Sequence, residues 1–333
     1  EKLVRLGLPV LATPAEVANA LGLPIARLRW LCFHSEATER THYVQFTVAK
    51  RSGGVRLLSA PHRELARAQR WVHDRVLAPL PNELWAHGFI KGRSTVTNAL
   101  PHVDRALVVN LDLKGFFPSV TFARVRGVFR GLGYSPAVAT VFALLCTECP
   151  RRTVRYEGRA LHVAVGPRAL PQGACTSPAL SNQVARKLDR RLAGWCALHA
   201  WTYTRYADDL TFSRARGDAG PEGKGLAALH SAVRTMVRAE GFVVNEAKGR
   251  VQRRGRRQTV TGVVVNAKPG VPRDEVRRLR AIVHQAKRTG LEAQNREGRP
   301  HFEAWLRGKI AYVTMIDRAK GEALRRALEG VGA

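Results

Sequence analysis

Apolar and polar positions recur with two periods along the chain, and the changes of period mark out its elements. Over residues 62–78, Leu65, Ala68, Trp71, Val72 and Val76 fall three or four apart, which predicts an amphipathic helix with a basic outer side. The same spacing recurs over 121–132 (Phe122, Val125, Val128, Phe129), where Gly133 stops it, and over 226–238. Behind Ser177-Pro178, Leu180, Val184, Leu188 and Leu192 repeat every fourth residue and predict a long packing helix. Two further helical patterns cover 272–288 (Val276, Leu279, Ile282, Val283) and 301–318 (Phe302, Trp305, Leu306, Ile310, Val313). Near the start, Thr13-Pro-Ala-Glu16 reads as a capping box opening a short helix that Gly22 closes, and Pro24 opens a second.

Period-two stretches lie between these helices. Residues 41–48 alternate into a strand, Ser52-Gly-Gly54 turns the chain, and 55–58 return. Another hairpin is expected around Glu157-Gly158. Residues 106–113 form a short apolar run that predicts a buried central strand with Asp112 near its end. Val108, Asn110 and Asp112 share one face of it, which is odd for a plain core strand. Bulky residues on both sides of Ala207-Asp208-Asp209 predict a tight hairpin over 201–213. The class is α+β.

Chemistry enters at that hairpin. Two aspartates in a turn can simply favour the turn. Adjacent carboxylates also repel unless cations hold them, and hard oxygens suit Mg²⁺. With Asp112 as a third acid on a neighbouring strand, the set could hold two divalent ions about 3.5–4 Å apart, the arrangement used for in-line phosphoryl transfer.

Charge sharpens this. The 333 residues carry a formal net charge of +29, which attracts polyanions and makes their binding strongly salt-dependent. Membrane binding competes as an explanation, but no apolar run approaches about 18 residues. The five cysteines are scattered and do not suggest an oxidised framework; Cys146 and Cys149 lack the second pair that a zinc site needs. With no signal peptide at its start, the chain is expected in the cytoplasm; it begins at Glu1 without methionine, so trimming is an open question.

Three strings then combine: Asp112-Leu-Lys-Gly-Phe-Phe-Pro-Ser119, Leu170-Pro-Gln-Gly-Ala-Cys-Thr-Ser-Pro178 and Tyr206-Ala-Asp-Asp209. In order and spacing they resemble bacterial reverse transcriptases, most closely those of retrons, over roughly residues 10–315. Asn98-Ala-Leu-Pro-His102 and Val260-Thr-Gly262 are similar to two signatures that set retron enzymes apart. Cys175 departs from the proline common at that place.

The resemblance implies a right-hand polymerase: N-terminal helices and fingers over 1–105, a palm with part of the fingers over 106–268, and a helical thumb over 269–333. It implies catalytic Asp112, Asp208 and Asp209, with two Mg²⁺ (Mn²⁺ as an alternative) on these acids and the Leu113 carbonyl. Lys50, Arg56, Phe116, Phe117, Gln172 and Lys248 would meet the incoming deoxynucleoside triphosphate. Phe117 would exclude a 2′-hydroxyl, and Lys248 would protonate leaving pyrophosphate. Lys91, Arg93, Asn98, His102, Val260, Thr261, Gly262, Arg277, Arg280 and Lys287 would contact RNA or template, Gly88 and Gly92 letting the backbone approach phosphate.

By the same resemblance, the chain would copy its cognate structured non-coding RNA from an internal 2′-hydroxyl, leaving a branched RNA–DNA molecule that serves antiphage defence with an effector protein. No endonuclease, maturase or RNase H segment is expected after the thumb. A group II intron-type or CRISPR-associated reverse transcriptase, an RNA-templated RNA polymerase and a non-catalytic RNA-binding scaffold remain open alternatives at this stage.

Overall fold

The computed structural model of the chain describes residues 1–33, 35–49, 53–217 and 222–331. They form two compact units, each assembled from three separate stretches of sequence.

The first unit comprises Glu1–Leu84, Leu113–Leu192 and Ala227–Val244. Its core gathers where helices Ile25–Cys32, Arg63–Val72, Phe122–Leu132 and Pro136–Cys146 supply Leu28, Leu31, Leu65, Phe129 and Phe142, all 2% exposed or less. The Phe142 ring sits 5.1 Å from both Phe129 and Tyr134, so aromatic packing adds to the area buried. The helix expected over 62–78 is α-helical to Val72 and then widens into a π-turn over His73–Leu77. Thr13 caps its helix as expected, accepting from the Glu16 amide at 3.3 Å.

Two antiparallel elements lie in this unit. Tyr43–Ala49 pairs with Val55–Pro61 as a ribbon, and Arg151–Tyr156, Arg159–Ala164 and Ala37–Thr38 make a three-stranded sheet. Gln172 and Gly173 run against the ribbon: the Ser59 amide donates to the Gln172 carbonyl at 2.7 Å. A Cβ on Gly173, whose φ is +126°, would stand 2.8 Å from the Ser59 carbonyl oxygen. Only glycine fits that approach.

The second unit comprises Trp85–Asp112, Ala193–Leu226 and Asn245–Ala333. Its centre is a four-stranded antiparallel sheet in the order Thr202–Tyr206, Asp209–Arg214, Leu107–Asp112, Arg250–Arg253. The register sets Leu111 beside Leu210 and Val109 beside Phe212, so one face is apolar and buried. The alternate positions put Asp112 beside Asp209, Asn110 beside Thr211 and Val108 beside Ser213. Asn110 Nδ2 donates to Thr211 Oγ1 at 3.2 Å and its Oδ1 accepts from Gln252. The odd grouping of Val108, Asn110 and Asp112 is thereby explained: it is a polar row leading along the sheet to the acids. Away from the acids, Val108 packs with Ala99, Val260, Val263 and Val265, which cover that end of the face.

The same unit carries three helices, Arg273–Thr289, Phe302–Ile316 and Arg318–Glu329, around Leu279, Val283, Leu306, Ile310, Val313, Leu324 and Leu328. Two were expected. The third starts at Asp317, whose side chain accepts from the Lys320 amide at 3.1 Å, a cap the sequence pattern left unread. Among the described residues no helix is long and apolar enough to cross a membrane.

Candidate active site

Register brings the acids together. Asp112 and Asp209 are direct partners on adjacent strands, where Cα atoms stand roughly 4.5–5.5 Å apart. Asp208 occupies the bend closed by the Tyr206–Asp209 pair. Preceding it, Ala207 adopts φ +56°, a left-handed conformation that costs a residue with a Cβ about 1–2 kcal/mol. Several contacts hold this bend. The fully buried Arg205 donates Nη1 to the Ala207 carbonyl at 3.0 Å. Trp85 to His87 runs along the outer strand, the Trp85 carbonyl accepting from the Arg205 amide and the His87 amide donating to the Arg205 carbonyl, both at 2.7 Å.

Asp112 is only 7% exposed, and both its carboxylate oxygens are engaged. Asn245 Nδ2 donates to Oδ2 and Lys248 Nζ to Oδ1, each at 3.0 Å. The Asn245 amide also donates to the Asp112 carbonyl at 2.7 Å. Sequence reasoning missed Asn245; its place three residues before Lys248, one short turn away, was the signal. The hydrogen bond to Asp112, and then the charges of all three acids, hold the Lys248 ammonium above its usual pKa.

Asp209 behaves oppositely. Burial of its carboxyl, then repulsion by Asp208 and Asp112, pushes its pKa up to about 6 against the pull of Lys248 and Arg250. Its surface is nonetheless open to solvent, which weakens burial as a cause and leaves most weight on the neighbouring acids. The sign for stability follows: the folded chain holds this proton more tightly than the unfolded one, so stability falls as pH rises from about 4 to about 6. Asp209→Asn is therefore expected to raise the melting temperature at pH 7.5 and leave it unchanged below pH 4, measured by thermal denaturation at both pH values.

Among the described residues, no trio of His, Cys, Asp or Glu converges closely enough to hold an ion unaided. The donor chemistry still fits a divalent cation: hard carboxylate oxygens crowd one end of the sheet. The Lys248 ammonium stands in at Asp112 for positive charge that such an ion would bring.

Comparison with known proteins agrees with this geometry. A family model for reverse transcriptase (RNA-dependent DNA polymerase) matches residues 48–277. The chain is 49% identical over 325 residues to the retron Mx65 reverse transcriptase of Myxococcus xanthus, covering 98% of this chain and 73% of that protein. The chain belongs to the retron reverse transcriptases. Retron Mx162 reverse transcriptase of the same organism is 46% identical (95% of this chain, 66% of that protein). Retron Ec86 reverse transcriptase of Escherichia coli is 30% identical, with 96% and 94% covered. The α+β architecture is thus that of a right-hand polymerase.

The remaining expected site residues of this retron reverse transcriptase fall into separate groups. In the first unit, Arg56 is exposed on the ribbon opposite Val48, and Gln172 is half-buried against it. Lys50 lies outside the described residues. Leu113 bridges Val244; Phe116 is buried, its ring 5.7 Å from those of Phe117 and Phe242, and Phe117 is half-buried. In the second unit, Lys91, Arg277, Arg280 and Lys287 are exposed, while Arg93 bends back to donate to the Ala86 carbonyl.

Three expected RNA contacts need correction. Asn98, His102 and Val260 are each 0% exposed, so their side chains meet protein rather than RNA. Two are polar: His102 persists inside because both its ring nitrogens have hydroxyl partners, and Asn98 keeps a partner for its side-chain amide nitrogen, which a sequence read for charge and loops does not reveal. Thr261 is half-buried beside them, and Gly262 alone of that signature is exposed. Gly88 is corrected likewise: it faces the Ala207 backbone, not a phosphate.

Proposed function

We propose that this retron reverse transcriptase copies part of a cognate structured non-coding RNA into DNA in the cytoplasm, using two Mg²⁺ ions, with Mn²⁺ as an alternative. The observation that carries the reading is the register of Asp112 beside Asp209, with Asp208 at the adjoining bend. Asp112, Asp208, Asp209 and the Leu113 carbonyl would hold the ions. Bound there, they would supply a lowered pKa at the attacking hydroxyl and charge neutralisation on departing pyrophosphate.

The chain's own residues do the rest. Asn245 holds Asp112 in place, its side-chain amide bonding the carboxylate and its backbone amide the main-chain carbonyl. Lys248, held protonated beside the acids, can give a proton to the leaving group. Lys50, Arg56 and Gln172 serve the incoming deoxynucleoside triphosphate. Lys91, Arg93, Arg277, Arg280 and Lys287 serve the RNA backbone, with recognition by shape and charge. Fingers at 1–105, palm at 106–268 and thumb at 269–333 belong to this reading.

Relatedness to the retron enzymes supports the finer parts: priming from an internal 2′-hydroxyl, a branched multicopy RNA–DNA product, and antiphage defence with an effector protein. The test is primer extension on an RNA template with Mg²⁺, followed by sequencing of nucleic acid that co-purifies with the chain. A branched RNA–DNA species is expected; intron lariats or unselected RNA would remove the retron-type priming.

Phe117 is proposed to select deoxynucleotides by leaving no room for a 2′-hydroxyl. Phe117→Ala is expected to raise ribonucleotide incorporation by roughly tenfold or more, since a hydroxyl is then merely accommodated. Unchanged discrimination in a ribonucleotide competition assay would assign the ring to packing.

A further inference from the structure

Thr204 and Ser213 stand diagonally across the hairpin that ends in the acids, in a register pairing Thr204 with Thr211 and Thr202 with Ser213. The His102 ring spans the two. Its Nδ1 lies 2.7 Å from Ser213 Oγ and its Nε2 2.8 Å from Thr204 Oγ1, with no part of the residue exposed. The roles of each atom follow from Thr204. Its hydroxyl donates to the Asn98 carbonyl at 3.3 Å, so its oxygen can only accept from His102. Nε2 therefore carries the proton, and Nδ1 accepts from the Ser213 hydroxyl. Burial, then the charge of Arg105, pulls the His102 pKa down to about 3, which keeps the ring neutral and this pattern fixed.

The chain of bonds continues beyond the hairpin. Asn98 Nδ2 donates to Thr261 Oγ1 at 3.4 Å, and Thr261 Oγ1 donates to the Thr95 carbonyl at 3.2 Å. Both signatures thus join in one largely buried network that ends on the two strands joined by the bend at Ala207 and Asp208. A one-residue slip between those strands would turn their side chains to the opposite faces. A ring bonded to both strands opposes that slip and fixes where the acids stand.

We propose that His102 is a positioning residue for DNA synthesis, holding the two hairpin strands in register through Thr204 and Ser213 without touching RNA. This rests on the polymerase reading above. The competing explanations are that the ring only fills space, or that it serves RNA binding after a rearrangement.

Isosteric pairs of variants in the full chain separate these. Thr204→Val keeps the shape and removes the hydroxyl; Thr204→Ser keeps the hydroxyl and leaves a gap. The probe is a short unstructured RNA annealed to a DNA primer, with incorporation rate, KM for deoxynucleotide, primer–template Kd and melting temperature all measured. Thr204→Val is expected to lower kcat on the order of tenfold or more, with KM and Kd unchanged, because small displacements at reacting groups are costly. Thr204→Ser is expected to stay near the wild-type rate. Where melting shows Thr204→Val unfolded, Ser213→Ala against Ser213→Thr supplies the same contrast.

The reverse order, Ser worse than Val, would overturn the proposal in favour of packing. Loss of affinity with an unchanged rate at saturating RNA would overturn it in favour of RNA contact. Unchanged rates in both variants would also overturn it, while a wild-type chain that extends no primer would overturn the polymerase reading with it.

Discussion

Asp208→Asn is expected to abolish DNA synthesis to within about one part in a thousand while leaving RNA affinity and the fold intact. The substitution changes one oxygen to an amide nitrogen at a bend where asparagine is readily accepted, so the hairpin should survive. What it removes is a negative charge from a cluster of three. If those acids hold the ions, several kcal/mol of transition-state stabilisation goes with it, and each 1.36 kcal/mol is about tenfold in rate. Relief of repulsion on Asp209 should, if anything, raise the melting temperature slightly. RNA-templated extension, filter binding and thermal melting on the same preparation check all three. Wild-type synthesis by this variant would remove the carboxylates from the mechanism.

Gly88→Ala should be nearly as damaging, though Gly88 bears no functional group. A Cβ there would lie 2.5 Å from the Ala207 nitrogen, closer than such atoms come, and a tight 3.2 Å from its Cα. Backbone has to yield, and the neighbouring backbone is the bend that presents Asp208. Forcing the contact is expected to cost about 1–3 kcal/mol of stability, the usual penalty for overpacking. A displacement near 1 Å at reacting groups should cost on the order of a hundredfold in rate. Extension assays below the variant's melting temperature separate the two effects. Full activity in a folded Gly88→Ala chain would show that the bend can shift without harm.

The elements were legible in the sequence because their periods are clean. The hairpin at 206–209, the central strand ending in Asp112 and the long helix after Ser177 all stand where the pattern put them. The acids were legible too, as residue types in a string. Their pairing was not, since register between strands about a hundred residues apart is set by packing on both faces. Asn110 gave a hint, being polar in an apolar run, but its partners Thr211 and Gln252 lie far along the chain. His102 was the hardest. A polar side chain in a proline-containing segment suggests exposure, whereas this one is enclosed because two hydroxyls from another part of the sequence satisfy both ring nitrogens. The helix Arg318–Glu329 went unread because its buried stripe amounts to little more than Leu324 and Leu328 among charged residues.

The unit bearing the acids is stitched from residues 85–112, 193–226 and 245–333. Synthesis on the ribosome is vectorial, so the strand ending in Asp112 emerges long before Asp209, its sheet partner. Until then its unpaired edges and apolar face await partners, the exposure that makes nascent chains prone to aggregate. Chains halted before residue 245 would carry Asp112, Asp208 and Asp209 yet lack Asn245, Lys248 and the outer strand Arg250–Arg253. Such fragments should accumulate as insoluble material, and slower elongation or a chaperone that shields the early strand should raise the yield of folded enzyme.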